Sequence, residues 1–129
     1  MKKLIFFVDD DKMILNLLEY TLNNREDYDI RTFQRGEDCI KEIDSNPELI
    51  VLDHYFEEMS EKFQTGLDIL KEIKNVAPQI PVIILSNHED EDLMKEYIKN
   101  GANRFIAKND FFIDTLMEAF GLVLKKETN

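Results

Sequence analysis

Five short apolar runs, separated by longer amphipathic segments, dominate the hydrophobic pattern of this chain. The runs are "LIFFV" (4–8), "YDIRTF" (28–33), "ELIVLD" (48–53), "PVIILS" (81–86) and "RFIAK" (104–108). The first, third and fourth are continuously apolar, which is typical of central strands in a parallel sheet covered on both faces. The second run alternates, with Ile30 and Phe33 as its inward candidates, and therefore predicts an edge strand.

Each apolar run is followed by a segment with helical periodicity. The predicted helices span 12–24, 36–45, 66–76, 91–100 and 112–126. In the first helix, one face carries Ile14, Leu17, Leu18, Thr21 and Leu22. The fourth helix begins with acids and is closed by Gly101, as the helix dipole and C-cap preferences favour. This (βα)5 order and right-handed crossovers predict an α/β fold, an open five-stranded parallel sheet with helices on both faces.

Length and composition predict one domain over residues 1–129. A chain of 129 residues is long enough for a hydrophobic core, and 43% hydrophobic with 33% charged residues is ordinary for a globular protein. The pattern contains no linker, no low-complexity segment and no sign of a second domain. The start "MKKLIFFVDDD" resembles a signal peptide, but its apolar run is too short and ends in acids.

The charge balance restricts the class of partner. The net charge of −11 disfavours direct contact with nucleic acid or with an anionic membrane surface, because both would repel the protein. Bound cations and basic partners suit it better. The single Cys39 has no internal disulfide partner, which fits a reducing compartment. A cytoplasmic location is therefore expected.

Polar side chains follow four of the predicted strands at the point where each strand ends. They are Asp9, Asp10 and Asp11 after the first, Asp53 after the third, Ser86 after the fourth and Lys108 after the fifth. Ligands of open α/β sheets bind at the carboxyl ends of the strands, so we expect these side chains to lie together. Each also has a simpler interpretation: Asp10 or Asp11 caps the first helix, Ser86 or Asn87 caps the fourth, and Lys108 is a solvated surface residue.

This set of side chains predicts phosphoryl chemistry at a divalent cation. Oxygen ligands are what Mg²⁺ prefers, and Mn²⁺ accepts the same donors. A metal ion there would neutralise the aspartates and orient a phosphoryl group, with Asp53 as the carboxylate nucleophile that forms an acyl phosphate. Ser86 and Lys108 would then contact the phosphoryl oxygens.

The motifs that carry these residues are similar to those of a known family. "FFVDDD", "IVLDHY", "VIILSN" and "GANRFIAK" resemble the receiver domain of bacterial two-component response regulators, over essentially the whole chain. The resemblance implies a stand-alone receiver with a flavodoxin-like fold and strand order 2-1-3-4-5. It also implies that the chain catalyses its own phosphorylation and dephosphorylation, without turnover of a separate substrate.

The resemblance further implies a role for each matching residue. Asp53 would be the phosphoacceptor, and Asp10 and Asp53 would bind Mg²⁺ (or Mn²⁺) directly. Asp9 would act through water, and Tyr55 would offer its backbone carbonyl. Ser86 and Lys108 would contact the phosphoryl group, and Phe105 would be the aromatic switch that turns inward with Ser86.

Three features depart from the family pattern. Asn109 follows Lys108 where the family usually has proline after a cis peptide, so a trans peptide or an altered loop is expected. Asn87 stands where a small residue is usual, and the loop 54–65 is long and charged. Tyr55, Asn87 and His88 are hypothesised to modulate hydrolysis of the acyl phosphate, with exposed loop residues as the simpler interpretation.

The implied partners are a histidine kinase or phosphotransfer protein and a downstream protein, with no direct nucleic acid or membrane contact. A homodimer is also possible through the face formed by the fourth helix, fifth strand and fifth helix, if Phe112 or Ile113 is left outside the core. Two other functions stay open. One is a degenerate receiver that acts only as a binding module. The other is a small Mg²⁺-dependent phosphohydrolase that uses Asp9, because "VDDDK" contains Asp-x-Asp.

Overall fold

A computed structural model gives the structure of this chain and describes residues 3–23, 27–53, 65–87 and 90–124. The strands are β1 (Lys3–Val8), β2 (Tyr28–Phe33), β3 (Leu49–Asp53), β4 (Val82–Ser86) and β5 (Arg104–Ala107). The helices are α1 (Lys12–Asn23), α2 (Gly36–Lys41), α3 (Gly66–Val76), α4 (Glu91–Lys99) and α5 (Phe112–Leu124). Strands and helices thus alternate along the chain, as the hydrophobic pattern predicts.

The five strands form one parallel sheet in the order β2-β1-β3-β4-β5. The prediction of fold class and strand order is confirmed, and β2 lies at an edge. The chain leaves β1 toward β2 and later returns to place β3 on the other side of β1. The order therefore reverses between β1 and β3, and the residues that follow these two strands meet at this switch point.

Two apolar clusters cover the two faces of the sheet, because alternate residues of each strand point to opposite sides. Ile5 and Phe7 of β1 pack in the cluster that includes α1 and α5, and the ring centroids of Phe7 and Phe120 are 6.1 Å apart. Phe6 and Val8 pack in the cluster on the other face, with residues of α2, α3 and α4. Both faces of the sheet are therefore buried, as continuous apolar strands require.

Two helices differ from the sequence prediction. The second helix ends at Lys41, and a short 3-10 turn over Ile43–Ser45 follows in place of a longer helix. Asn46 ends that turn in the left-handed region at φ 58°, a conformation that Asn tolerates well. In α1 the buried face is Leu15, Leu18 and Leu22, whereas Leu17 is 45% exposed, so its placement on the core face was wrong.

Local signals explain where α3 begins and where α4 ends. Thr65 and Asp68 form a reciprocal capping box at the start of α3, with hydrogen bonds of 3.1 and 3.2 Å. Gly101 follows α4 at φ +108°, where a side chain would be strained, so a glycine is needed after this helix.

Candidate functional site

Four polar side chains are assembled at the carboxyl edge of the sheet. Asp9 follows β1, Asp53 and Ser86 are the last residues of β3 and β4, and Lys108 follows β5. Asp9, Asp53 and Ser86 are only 3%, 4% and 1% exposed, which is unusual for such residues. The sequence prediction that these side chains lie at one edge is confirmed by this placement.

Lys108 joins the two buried carboxylates. Its Nζ donates to Asp9 Oδ2 at 2.7 Å and lies 2.7 Å from Asp53 Oδ1. The lysine side chain is itself only 10% exposed, so these ion pairs are shielded from water. Charged hydrogen bonds of this length in a buried site are strong, and loss of the lysine would leave two buried carboxylates without a counter-charge. Lys108 is therefore not a solvated surface residue.

The strand register places Asp53 between two functional groups. Val8 is level with Leu52, so Asp9 lies beside Asp53 on the β1 side. Asp53 is level with Leu85, so Ser86 lies one residue further along β4. The backbone N–H of Lys108 donates to the Ser86 carbonyl at 2.8 Å and ties the two strand ends together. Asp53 is thus flanked by a carboxylate, a hydroxyl group and an ammonium group.

Burial and mutual repulsion shift the titration of the carboxyl groups. The pKa of Asp53 is raised to about 7, chiefly because the group is buried and because it faces the negative charge of Asp9, although the hydrogen bond from Lys108 opposes the shift. Burial also raises the pKa of Asp9, against the hydrogen bonds from Lys108 and the Asp11 backbone. For Lys108, burial lowers the pKa, but both carboxylates outweigh it and the pKa is raised overall.

Asp9, Asp10 and Asp53 provide donors for a divalent cation. One carboxylate oxygen from each lies within 4.8 Å of the others. Carboxylate oxygens are the ligands that Mg²⁺ prefers, so these three aspartates would hold such an ion and their charges would be neutralised by it. Asp10 is partly exposed, which leaves that side open to water, whereas the other two aspartates are buried. Hard oxygen donors with an open side fit Mg²⁺ or Mn²⁺.

Two helix-capping interpretations are now resolved. Asp11 Oδ1 accepts a hydrogen bond of 2.9 Å from the Met13 backbone N–H, so this aspartate caps α1. The sequence predicted this role for Asp10 or Asp11 as one interpretation. At α4 the cap is Asp90, whose side chain accepts from Asp92 N and Leu93 N. The interpretation of Ser86 or Asn87 as the cap of α4 was therefore wrong, because neither residue occupies the cap position.

The aromatic switch candidate contacts a residue that sequence reasoning missed. Phe105 is partly buried in β5, and its ring centroid lies 5.8 Å from that of Tyr97. Tyr97 is fully buried and is the one residue of α4 in that class. The negative charge of Asp53 is among the causes that raise the pKa of Tyr97, after burial. Tyr97 is the one aromatic residue of α4, and that was the available sequence signal.

The structure describes two of the three departures from the family pattern, at Asn87 and at Asn109. All peptide bonds of the described residues are trans, including Lys108–Asn109, as expected. Asn109 Oδ1 accepts from the Phe111 backbone N–H at 2.9 Å, which fixes the turn before α5. Asn87 is exposed beside the site. Tyr55, His88 and most of the long loop lie outside the described residues.

Comparison with protein families identifies the kind of domain that this site belongs to. The family model for the response regulator receiver domain matches residues 5–120. PhoP, the alkaline phosphatase synthesis transcriptional regulatory protein of Bacillus subtilis, is 29% identical over 84% of this chain and 43% of its own length. NtrC of Proteus hauseri, a DNA-binding transcriptional regulator, is 32% identical over 81% of this chain and 21% of its own length. The chain thus spans less than half of these curated relatives.

Solved structures agree with the family match. The signal receiver domain of a putative Luxo repressor protein from Vibrio parahaemolyticus has a TM-score of 0.84 and 30% identity, covering 98% of this chain and 92% of that one. The BeF3-activated DrrB receiver domain has a TM-score of 0.82 and 26% identity, covering 97% and 99%. Among the described residues, no helix is long and apolar enough to cross a membrane.

Proposed function

We propose that Asp53 is the phosphoacceptor of this chain, which belongs to the response regulator receiver domain family. The chain is a receiver domain of the two-component type, with phosphoacceptor signalling as its function. One observation carries the assignment to Asp53: Lys108 bridges Asp53 and Asp9, both at 2.7 Å, at the buried switch point of the sheet. Asp53 also has Ser86 on its other side, whereas Asp9 does not.

The transfer step follows from this placement. A carboxylate oxygen of Asp53 attacks phosphorus, and the bond from phosphorus to the donor's leaving group breaks with its electron pair. Lys108 moves from the carboxylate to a phosphoryl oxygen, and the Ser86 hydroxyl donates to another, so negative charge is stabilised as it shifts. Asp9 would keep its own ion pair with Lys108 during this shift, because the Asp11 backbone N–H holds Asp9 Oδ1 at 2.9 Å and leaves Oδ2 for the lysine.

Receiver domains bind Mg²⁺ at an acidic pocket, and we assign that pocket here to Asp9, Asp10 and Asp53. Asp10 and Asp53 would bind the ion directly, Asp9 through water, and Tyr55 through its backbone carbonyl. The ion supplies neutralisation of the carboxylates and orientation of the phosphoryl group. The donor chemistry supports Mg²⁺ or Mn²⁺ over softer metals.

Signal output would run through contact with other proteins. Receiver domains interact with histidine kinases or phosphotransfer proteins and with downstream partners. Phosphorylation would draw Ser86 toward the phosphoryl group and let Phe105 turn inward against Tyr97. A homodimer through α4, β5 and α5 is supported by the exposed Met94, Ile98 and Phe111, whereas Phe112 is buried and Ile113 partly buried. A cytoplasmic location follows from the family as a further proposal.

The lifetime of the acyl phosphate would depend on residues beside the site. Asn87 is exposed at the end of β4, and Tyr55 and His88 complete the hypothesised set. Bulky side chains there would hinder the approach of water to phosphorus. We expect alanine at Tyr55 and His88 together to shorten the lifetime of phosphorylated Asp53, measured by loss of label after the donor is removed. An unchanged lifetime would leave these residues without that role.

The test is intact mass after incubation with acetyl phosphate and Mg²⁺. We expect a gain of one phosphoryl group in the wild type, none in Asp53→Asn, and none with a chelator. Asp29→Asn is the matched control, because it removes an exposed carboxylate of β2 and leaves the site intact. Label on Asp9, or turnover of a generic phosphate ester, would favour the phosphohydrolase. No label from this donor or from any histidine kinase would favour the binding module.

A further inference from the structure

A second polar site lies at the opposite end of the strands from Asp53. A cavity of about 420 Å³ opens at the amino edge of the sheet, beside Val82 and Arg104, where β4 and β5 begin. The C-terminal parts of α3 and α5 form its sides. Its volume is in the range of small-molecule pockets. Nothing in the chemistry at Asp53 uses this cavity.

The charge of the lining contrasts with that of the chain. Lys74 and Arg104 both line the cavity, and two amide side chains (Gln79 and Asn103) lie with them. None of the described residues that line it is acidic. This concentration of donors stands out in a protein of net charge −11. Among the described residues, neither cation forms an ion pair with a carboxylate. The cavity is therefore suited to an anion.

The polar groups are held in position before any ligand arrives. Lys74 Nζ donates to the Ile80 carbonyl at 2.6 Å, which uses one of its three N–H bonds, and its stem packs on Gly101. Two hydrogen bonds to Val82 hold Asn103. Its backbone N–H donates to the Val82 carbonyl at 2.8 Å, and its Oδ1 accepts from the Val82 backbone N–H at 3.1 Å. Its NH₂ group remains a donor on the other side of the amide. Preorganised donors bind an anion with little loss of side-chain freedom.

The rest of the lining is apolar and rigid. Pro78 and Pro81 stand on the turn that joins α3 to β4, and Leu122 and Val123 come from the last turn of α5. Leu122 is 54% exposed, although it is a large apolar residue beside two cations. A ligand with an apolar group next to its anionic group would cover this surface and contact the donors at the same time.

We propose that this cavity binds a small organic phosphate of about the size of a nucleoside monophosphate. A phosphate monoester carries a charge close to −2 at neutral pH, which matches the two cations better than one carboxylate does. The planar guanidinium group of Arg104 suits the phosphate oxygens, and Lys74 adds a point charge. The organic part would lie against Leu122 and the prolines, because inorganic phosphate alone leaves most of the cavity unfilled.

The probe is AMP, titrated into ¹⁵N-labelled protein with EDTA present. EDTA removes divalent cations, so phosphate cannot be bridged to the carboxylates at the other edge. We expect shifts of the amide signals of Asn103 and Arg104, and affinity reduced about tenfold or more in Arg104→Gln. Lys74→Met, which keeps the stem on Gly101, should weaken binding similarly. Lys41→Met, an exposed lysine of α2, should leave the affinity unchanged.

Three outcomes would overturn the proposal. They are no shifts near the cavity at millimolar AMP, equal affinity in the wild type and both cavity variants, and equal binding of inorganic phosphate and AMP. Because Lys74 also holds the turn before β4, Arg104→Gln is the deciding variant: its side chain is exposed and the fold does not depend on it. The measurement needs no phosphorylation of Asp53, so its failure is distinct from failure of the function proposed above.

Discussion

Leu52 and Asp53 are neighbours in β3, yet they belong to regions with opposite physical demands. Leu52 is fully buried in an apolar cluster and gains free energy from leaving water. Asp53 is 4% exposed and loses hydration of its charge, which Lys108 partly replaces. The same contrast separates the body of each central strand from its carboxyl end. The strand bodies stabilise the fold, and the strand ends hold groups whose burial is unfavourable until a cation or phosphoryl group arrives.

The largest effect is expected in the strand body. Leu52→Ala should lower the free energy of unfolding by about 2 to 5 kcal/mol, because it removes buried methyl groups and leaves a cavity. Urea denaturation followed by circular dichroism measures this. Leu17→Ala, in which a half-exposed leucine of α1 is shortened, should lower the free energy by less than about 1 kcal/mol. Equal losses would remove the distinction between core and surface leucines.

The next effect is at the strand end, where Mg²⁺ should convert a destabilising cluster into a stabilised one. At 100 times its dissociation constant, the ion should raise the free energy of unfolding by about 2.7 kcal/mol. Thermal unfolding with and without Mg²⁺ measures the gain. Asp10→Asn should lose most of it. Asp11→Asn should keep it, because asparagine also accepts the hydrogen bond from Met13 at the start of α1.

Asp53→Asn should stabilise the metal-free protein, the opposite sign to Leu52→Ala. The raised pKa of Asp53, about 7, means that the folded state holds this proton more tightly than the unfolded state, whose value is near 3.8. Stability of the wild type therefore falls as pH rises from about 4 to about 7. At pH 8 in EDTA the variant should be about 1 to 3 kcal/mol more stable than the wild type, because the buried charge of Asp53 is removed. The gain is smaller than the pKa shift alone implies, because Lys108 loses one of its two charged partners.

The pH dependence separates this cause from a general charge effect. The difference between wild type and Asp53→Asn should shrink as the pH falls from about 7 to about 4, and should be smallest below about 4, where Asp53 is protonated in both the folded and the unfolded state. Asp29→Asn, an exposed carboxylate of β2, should show no comparable gain at pH 8. A wild type that is more stable than Asp53→Asn at pH 8 in EDTA would show that Lys108 fully compensates the buried charge.

The smallest effect is expected at Ser86, which is small, polar and 1% exposed. Ser86→Ala should lower the free energy of unfolding by about 1 kcal/mol, as for the loss of one hydrogen bond. In this variant, Asp53 should still gain one phosphoryl group. The inward turn of Phe105 on phosphorylation, followed by ¹⁹F NMR of fluorophenylalanine, should be weaker than in the wild type. A stability loss as large as that of Leu52→Ala would show that Ser86 stabilises the fold as the buried strand residues do.

Much of this arrangement could be predicted from local patterns. Continuous apolar runs indicated the buried strands, and the acids, the hydroxyl and the lysine that end them indicated the edge where chemistry occurs. Helix ends were also readable where a cap or glycine marks them, as at Gly101. The second helix was predicted too long, because its continuation past Lys41 keeps helical periodicity although the chain turns there.

Contacts between distant residues were beyond those patterns. Asp9 and Lys108 are 99 positions apart, and their ion pair exists only because β1 and β5 end at the same edge of one sheet. The burial of Tyr97 against Phe105 likewise depends on how α4 lies over β5. Periodicity along the chain determined the strands, their buried faces and the residues at their ends, since these follow from local geometry and hydrophobicity. Tertiary structure alone decided which ends pair, which charges are shielded and where the cationic cavity forms, because those depend on packing between segments far apart in sequence.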